Sequence, residues 1–175
     1  MGYFIGIAAS EEFKTIIKSL AESISAEEHP RTPHITLCHL GKQRPDTERF
    51  QDVGDSCQPF EISIEGVRIF RNQQTTHLVL PVAQGAGKLK ILNAHLRKGG
   101  KVPDRNYTPH MTVISAPSDM RGESAAYKEM LAFRDKHNGH QWGRMVVTSF
   151  HLFSSSNGVV KPVDQWRLTS FKEVM

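Results

Sequence analysis

Thr32-Pro33-His34-Ile35-Thr36-Leu37 returns later in the chain as Thr108-Pro109-His110-Met111-Thr112-Val113. Four of the six positions are identical and the other two exchange one apolar residue for another. The copies are separated by nearly half of the 175 residues, which implies two similar halves. In each copy the proline biases the threonine before it away from helical backbone, so the segment starts extended. Side chains at i and i+2 of a strand share a face. His34 and Thr36 therefore point one way, as do His110 and Thr112. Ile35 and Leu37, like Met111 and Val113, point the other way, toward a core. Two strands of this kind fit a sheet that lines a cleft on one side and packs a core on the other.

Outward from these phrases, residues 3–9 read as a strand in which Gly6 and Ala8 leave room for a close neighbour. Ser10 is an N-cap candidate, and Phe13, Ile16, Ile17, Leu20 and Ile24 fall at helical spacing over 11–24. A short helix is expected around 46–55. Strands are expected over 60–70, with a bulge at Gly66, and over 76–83, with a hairpin loop at Asn72-Gln73-Gln74 between them. Gln84-Gly85-Ala86-Gly87 reads as the joint between halves. The spacing then predicts a helix carrying Leu89, Leu92 and Leu96, a strand over 108–115, a helix over 122–137, and strands over 144–153 and 165–173. The connections are too varied for a regular βαβ run, so the fold class is α+β, one domain over residues 1–175.

Composition narrows the function. Hydrophobic residues make up 38% and charged residues 23%, as in ordinary globular proteins. No apolar run approaches the ~20 residues of a membrane-spanning helix. The opening residues read as a core strand rather than a signal peptide. Cys38 and Cys57 have no metal or redox spacing and suit a reducing cytoplasm. The net charge of +4 favours an anionic ligand without demanding a nucleic-acid groove.

Two imidazoles exchange protons near neutral pH, and two hydroxyls bind oxyanions. Brought together, they suit phosphodiester chemistry. One histidine accepts a proton from the attacking oxygen, the other protonates the leaving oxygen, and the threonines hold the phosphoryl oxygens. No metal or other cofactor is required by such a set. His34, Thr36, His110 and Thr112 are the expected catalytic residues. Trp166 and Tyr107 are candidates to stack on a base, and Arg105, in the loop feeding the second phrase, is a candidate phosphate ligand. Arg31, Lys42 and Arg71 are weaker cationic candidates. Cys38 shares the parity of His34 but lies about 13 Å along the strand from it, so a buried thiol is expected. His39 has the opposite parity and is expected outside the site. His137 and His140 read as surface loop residues.

The paired motifs His34-Ile35-Thr36-Leu37 and His110-Met111-Thr112-Val113 resemble the signature of the two-histidine (2H) phosphoesterase superfamily. Leu40-Gly41, the Tyr3-Phe4-Ile5-Gly6-Ile7 opening, Phe150-His151-Leu152-Phe153-Ser154-Ser155 and Trp166-Arg167-Leu168 extend the resemblance over nearly the whole chain. The chain departs from some RNA cyclic phosphodiesterases of that superfamily in carrying Ile114-Ser115 where they have an arginine. The resemblance implies a bilobal, pseudo-two-fold fold with antiparallel-rich sheets lining a central cleft and helices outside. It implies a metal-independent phosphodiesterase acting on a nucleotide, oligonucleotide or RNA end, on a bond that involves a 2′-oxygen. A cytoplasmic monomer without a membrane partner is expected. Two alternatives use the same residues: a binding module that captures a nucleotide or RNA end without turnover, and a reversible 2′-5′ RNA ligase.

Overall fold

The computed structural model describes residues 1–24, 32–97, 104–119 and 121–169. The elements run β1 (Gly2–Ala8), α1 (Glu11–Glu22), β2 (His34–Gly41), α2 (Glu48–Ser56), β3 (Phe60–Glu65), β4 (Arg68–Arg71), β5 (Thr75–Pro81), α3 (Ala86–Leu96), β6 (His110–Pro117), α4 (Ala125–Lys136), β7 (Gln141–Val147), β8 (Ser149–Ser156) and β9 (Val159–Arg167). Seven strands form an antiparallel sheet in the order β4-β5-β6-β2-β1-β8-β9. β3 and β7 form a separate antiparallel pair. The architecture is α+β.

The two motif strands, β2 and β6, lie at the centre of the large sheet and pair through Ile35 and Met111. That pair marks a pseudo-two-fold axis. On one side β2 is followed by β1, β8 and β9; on the other β6 is followed by β5 and β4. The first side combines strands from both ends of the chain and the second is built from its middle, so the halves of the sheet are not the halves of the sequence. Gly85, with φ of 80°, is the N-cap of α3.

One face of the sheet is covered by helices. α1 packs on β6, α2 on β9 and α3 on β2. Ile5, Ile7, Ile35, Leu37, Leu78, Leu80, Met111, Val113, Phe150 and Leu152 fill this core, and all are essentially inaccessible. α1 begins where expected: the Ser10 hydroxyl accepts the backbone N–H of Phe13 at 3.3 Å. The β4–β5 hairpin turns at Asn72, whose side-chain oxygen accepts the N–H groups of Gln74 and Thr75, both at 2.8 Å.

Two expected strands are each two strands. Residues 60–70 split at Gly66, which takes φ of 75° and sends the chain from β3 into β4 of the other sheet. Gly66 is thus a corner rather than a bulge. Residues 144–153 belong to β7 and β8, again in different sheets. β8 then turns back at Asn157-Gly158, both at positive φ, to form the long β8–β9 hairpin. β9 therefore begins earlier than the expected strand over 165–173, whose residues beyond 169 lie outside those described.

Candidate functional site

Each motif histidine is anchored in the same way. His34 Nδ1 lies 2.8 Å from the carbonyl of Thr32, and His110 Nδ1 lies 2.7 Å from the carbonyl of Thr108. A carbonyl only accepts, so Nδ1 carries the proton and donates it in both rings. Each Nε2 is thereby left free to take a proton or, when charged, to give one. The anchor follows from the Thr-Pro step, because the threonine carbonyl comes from the extended residue before proline. The proline carbonyls are tied down alike: Ala9 N–H donates to Pro33 at 3.1 Å and Val82 N–H to Pro109 at 3.0 Å.

Aromatic rings flank both imidazoles. His34 lies 4.8 Å from the Phe4 ring and 5.5 Å from the Phe153 ring, centroid to centroid. His110 meets Phe70 edge-on at 4.8 Å. Phe153 and Phe70 occupy matching register positions, opposite Phe4 of β1 and His77 of β5. Phe4, Val79 and Phe153 are buried on this face, apart from the main core. Burial is the main cause that holds both histidines below their ordinary value. The charges of His110 and His39 push His34 down further, and that of His77 does the same to His110, while the anchoring carbonyls oppose the shift. Thr36 and Thr112 are half-buried on the same face, and neither hydroxyl is committed to another group among the described residues.

After each motif threonine the register shifts by one residue. Gly6 pairs with Thr36 but Ile5 with Cys38, leaving Leu37 over; Val79 pairs with Thr112 but Leu78 with Ile114, leaving Val113 over. Each motif therefore ends in a β-bulge at the same position. The bulge reverses strand parity beyond it and overturns one expectation, that His39 stands outside the site. Cys38 is a buried thiol packed in the core, as expected, and burial pushes it up to about 11. His39 comes round to the cleft face, opposite Phe4, with ring centroids 6.1 Å apart. Its counterpart in the other half is Ser115, whose Oγ lies 2.7 Å from His77 Nδ1. The extra residue also frees backbone carbonyls. The Tyr107 hydroxyl donates to Thr36 O at 2.9 Å, and Asn93 Nδ2 from α3 donates to Leu37 O at 2.6 Å.

A cavity of about 600 Å³ opens beside this constellation. Thr36 and His110 line it with Phe70, Asn93, Arg97 and Tyr107. His34 and Thr112 stand on the same face across the Ile35–Met111 pair, outside the cavity lining. The antiparallel direction about that pair sets His34 toward Thr112 and Thr36 toward His110. Among the described residues, no three His, Cys, Asp or Glu side chains converge as a metal ion would need. No helix among them is long and apolar enough to cross a membrane.

The other sequence candidates distribute differently. Tyr107 lines the cavity, but its hydroxyl is committed to Thr36, and burial pushes its pKa well above the ordinary value. Trp166 is not in the cleft. It pairs with Phe150 and packs against Phe50 at 5.1 Å, on the core face under α2. Arg105 is exposed at the apex of a turn closed by Tyr107 N–H on Asp104 O, 3.1 Å, while Asp104 and Asn106 on either side line the cavity. Arg71 is spent on the carbonyl of Asp119 and lies over the Tyr127 ring. Arg31 lies outside the described residues. His39 was missed because parity was carried through the bulge. Its signal was present: the pairs Leu37-Cys38 and Val113-Ile114 break the alternation at the same point of both copies.

Comparison with known proteins agrees with this construction. A family model described as the 2′-5′ RNA ligase superfamily matches residues 4–158. An Archaeoglobus fulgidus protein named RNA 2′,3′-cyclic phosphodiesterase is 29% identical over 156 residues, covering 83% of each chain. The crystal structure of E. coli LigT complexed with 3′-AMP superimposes with a TM-score of 0.65 at 21% identity, covering 97% of this chain and 98% of that one. Kluyveromyces marxianus Usb1 superimposes with a TM-score of 0.55 at 11% identity, covering 91% and 96%.

Proposed function

We propose that this chain, which belongs to the 2′-5′ RNA ligase superfamily and is a 2H-type phosphodiesterase, hydrolyses a phosphodiester that engages a 2′-oxygen at an RNA end, without a metal ion. His34 and His110 exchange the protons, and Thr36 and Thr112 bind the phosphoryl oxygens. The observation that carries this reading is the duplicated anchor. Both Nδ1 atoms are occupied by backbone carbonyls at 2.8 and 2.7 Å, which leaves two equivalent Nε2 atoms as the working groups.

With a 2′,3′-cyclic phosphate the step runs as follows. One neutral imidazole takes a proton from water at Nε2 as the water oxygen bonds to phosphorus. The bond between phosphorus and one ribose oxygen breaks. The second imidazole, protonated, gives its Nε2 proton to that oxygen. The product is a phosphomonoester, and proton exchange with solvent resets the pair. The threonine hydroxyls donate to the non-bridging oxygens as negative charge builds there. Burial favours neutral imidazoles, and a phosphate anion favours the charged form needed for the acid.

The test is product analysis with a panel of 2′,3′-cyclic nucleotides, 2′-5′ and 3′-5′ dinucleotides and oligonucleotides ending in a cyclic phosphate. We expect turnover of a substrate with a 2′-linked phosphate, a loss of ~10²–10⁴-fold in kcat for His34→Ala and for His110→Ala, and no loss with a chelator. Full activity in either variant, or abolition by the chelator, would contradict the mechanism. Binding without product would instead make the cleft a capture site.

A further inference from the structure

The cleft continues beyond His110. A second cavity of about 630 Å³ adjoins the first, and Cys38, His39 and Arg97 line both. Its other walls include Arg44 and Asp46 from the loop after β2, and Arg49 from α2. Three guanidiniums and an imidazole therefore share a cavity with one carboxylate, that of Asp46. An Asp46 oxygen already accepts the backbone N–H of Glu48 at 3.0 Å. None of the three arginines is in an ion pair among the described residues.

Surface arginines are usually solvated and mobile, but Arg49 is held. One of its terminal nitrogens donates to Leu96 O at 2.7 Å, and its guanidinium lies 4.7 Å from the Phe50 ring centre. Leu96 ends α3, and Arg97 follows it with its own N–H on Asn93 O at 3.1 Å. The same helix end thus fixes Arg49 and presents Arg97. A guanidinium has five donors, so Arg49 keeps several for a ligand.

β2 runs from one cavity to the other. Thr36 lines the first, His39 lines both, and Leu40 lines the second. The bulge at Leu37 is what turns His39 onto this path. A sugar-phosphate chain following β2 passes from the Thr36 hydroxyl to the His39 imidazole and on to the guanidiniums. We infer that the second cavity is a phosphate subsite in which His39, Arg44, Arg49 and Arg97 hold the internucleotide phosphate next to the scissile one, so that the protein prefers an oligonucleotide end to a mononucleotide. This rests on the reading of the His34–His110 cleft as a phosphodiesterase site.

The experiment compares kcat/KM for a 2′,3′-cyclic mononucleotide and for a trinucleotide ending in the same cyclic phosphate, in the unmodified protein and in Arg44→Gln, Arg44→Glu and Arg44→Lys. Arg44 is exposed and lines the second cavity but not the first. The unmodified protein should favour the trinucleotide by ~10-fold or more. Arg44→Glu should lose most of that preference through KM, and Arg44→Lys should keep much of it. Arg44→Gln should lower the log–log salt slope for the trinucleotide by about 1. Equal efficiency on both substrates, or equal losses on both in Arg44→Glu, overturns the subsite and leaves the hydrolase standing. Fluorescence titration with a labelled trinucleotide 3′-phosphate keeps the two readings apart. If nothing is turned over, weaker binding by Arg44→Glu still supports the subsite, and unchanged binding overturns it.

Discussion

Adding a single methyl group at Gly6 tests how tightly the two half-sites are clamped together. Gly6 of β1 pairs with Thr36 on one side and with His151 on the other. A Cβ there would stand 2.8 Å from the carbonyl oxygen of Ile35, 3.3 Å from Phe153 Cε2 and 3.4 Å from Phe4 Cε2. An unstrained contact needs ~3.5 Å, so β2 must withdraw by about 0.7 Å or the two rings must tilt. Both rings flank His34, and Ile35 is the residue paired with Met111 at the pseudo-axis. Neither adjustment leaves the histidine in place.

Overpacking of this kind costs about 1–3 kcal/mol. At ~2–4 °C per kcal/mol for a chain of this size, Gly6→Ala should lower Tm by about 2–12 °C. A misplacement of ~1 Å can cost ~10²-fold, so the smaller shift here should lower kcat by roughly tenfold in the folded fraction. Thermal melts and steady-state assays below the melting range measure the two effects separately. Gly87→Ala is the control. That glycine is exposed in α3 and a Cβ would meet nothing within 4 Å, so the variant should gain up to ~0.5–1 kcal/mol and keep its activity. A Gly6→Ala protein with unchanged Tm and unchanged kcat would refute the clamping argument.

Further perturbations separate the core from the cleft. Trp166→Ala should cost about 3–5 kcal/mol without changing KM below its melting range; a raised KM with intact stability would return Trp166 to the substrate. Tyr107→Phe keeps the ring but strips a donor from Thr36 O, so a loss of about 1–3 kcal/mol in denaturant melts is expected, and no loss would mean that water replaces the hydroxyl. Stability should also fall on acidification. His34, His110, His77 and His151 all titrate below the ordinary value of 6.5 in the folded protein, so the unfolded chain takes up protons first as pH drops through 6.5. Melts at pH 7.5 and 5 should show the decrease, and His34→Phe should flatten it; a Tm that rises toward pH 5 would reverse the sign. A bell-shaped pH–rate profile is expected from the two histidines, and a flat profile between pH 5 and 8 with chemistry rate-limiting would count against them.

The central strands and their facing were legible because their pattern is local. Alternation about His34 and His110 set the core residues Ile35, Leu37, Met111 and Val113, and a threonine before proline marked each strand entry. Ser10 and Asn72 worked through hydrogen bonds within three residues of themselves, which sequence reading can see. The misreadings share a different cause. Gly66 and Thr148 move the chain between sheets, and the choice of sheet depends on partners far away in sequence: β3 pairs with β7, and β4 with β5. Trp166 reads equally as a stacking platform or as core until β9 is registered against β8, which sets it opposite Phe150. His39 was lost because an alternation rule was extended through a bulge. The duplicated apolar pair after each threonine was evidence that the rule stopped there.

The bulge also explains why two similar half-sites make an unequal cleft. Before it, the copies match in anchor, hydroxyl and flanking phenylalanine. After it, the first copy presents His39 opposite Phe4, and the second presents Ser115 opposite His77. Both arrangements place an imidazole near a motif histidine, but on different strands. His77 is tied into a chain with Ser115 and with Thr75 Oγ1, 2.9 Å from its Nε2, whereas His39 is exposed where two cavities meet. The His77 side is closed by hydrogen bonds within the protein, and the His39 side is open to an anion. A symmetric pair of proton-transfer groups is indifferent to which way a phosphodiester lies across it. Direction must come from what surrounds the pair, and the side chains that follow each motif threonine are where the two halves of the sheet first differ.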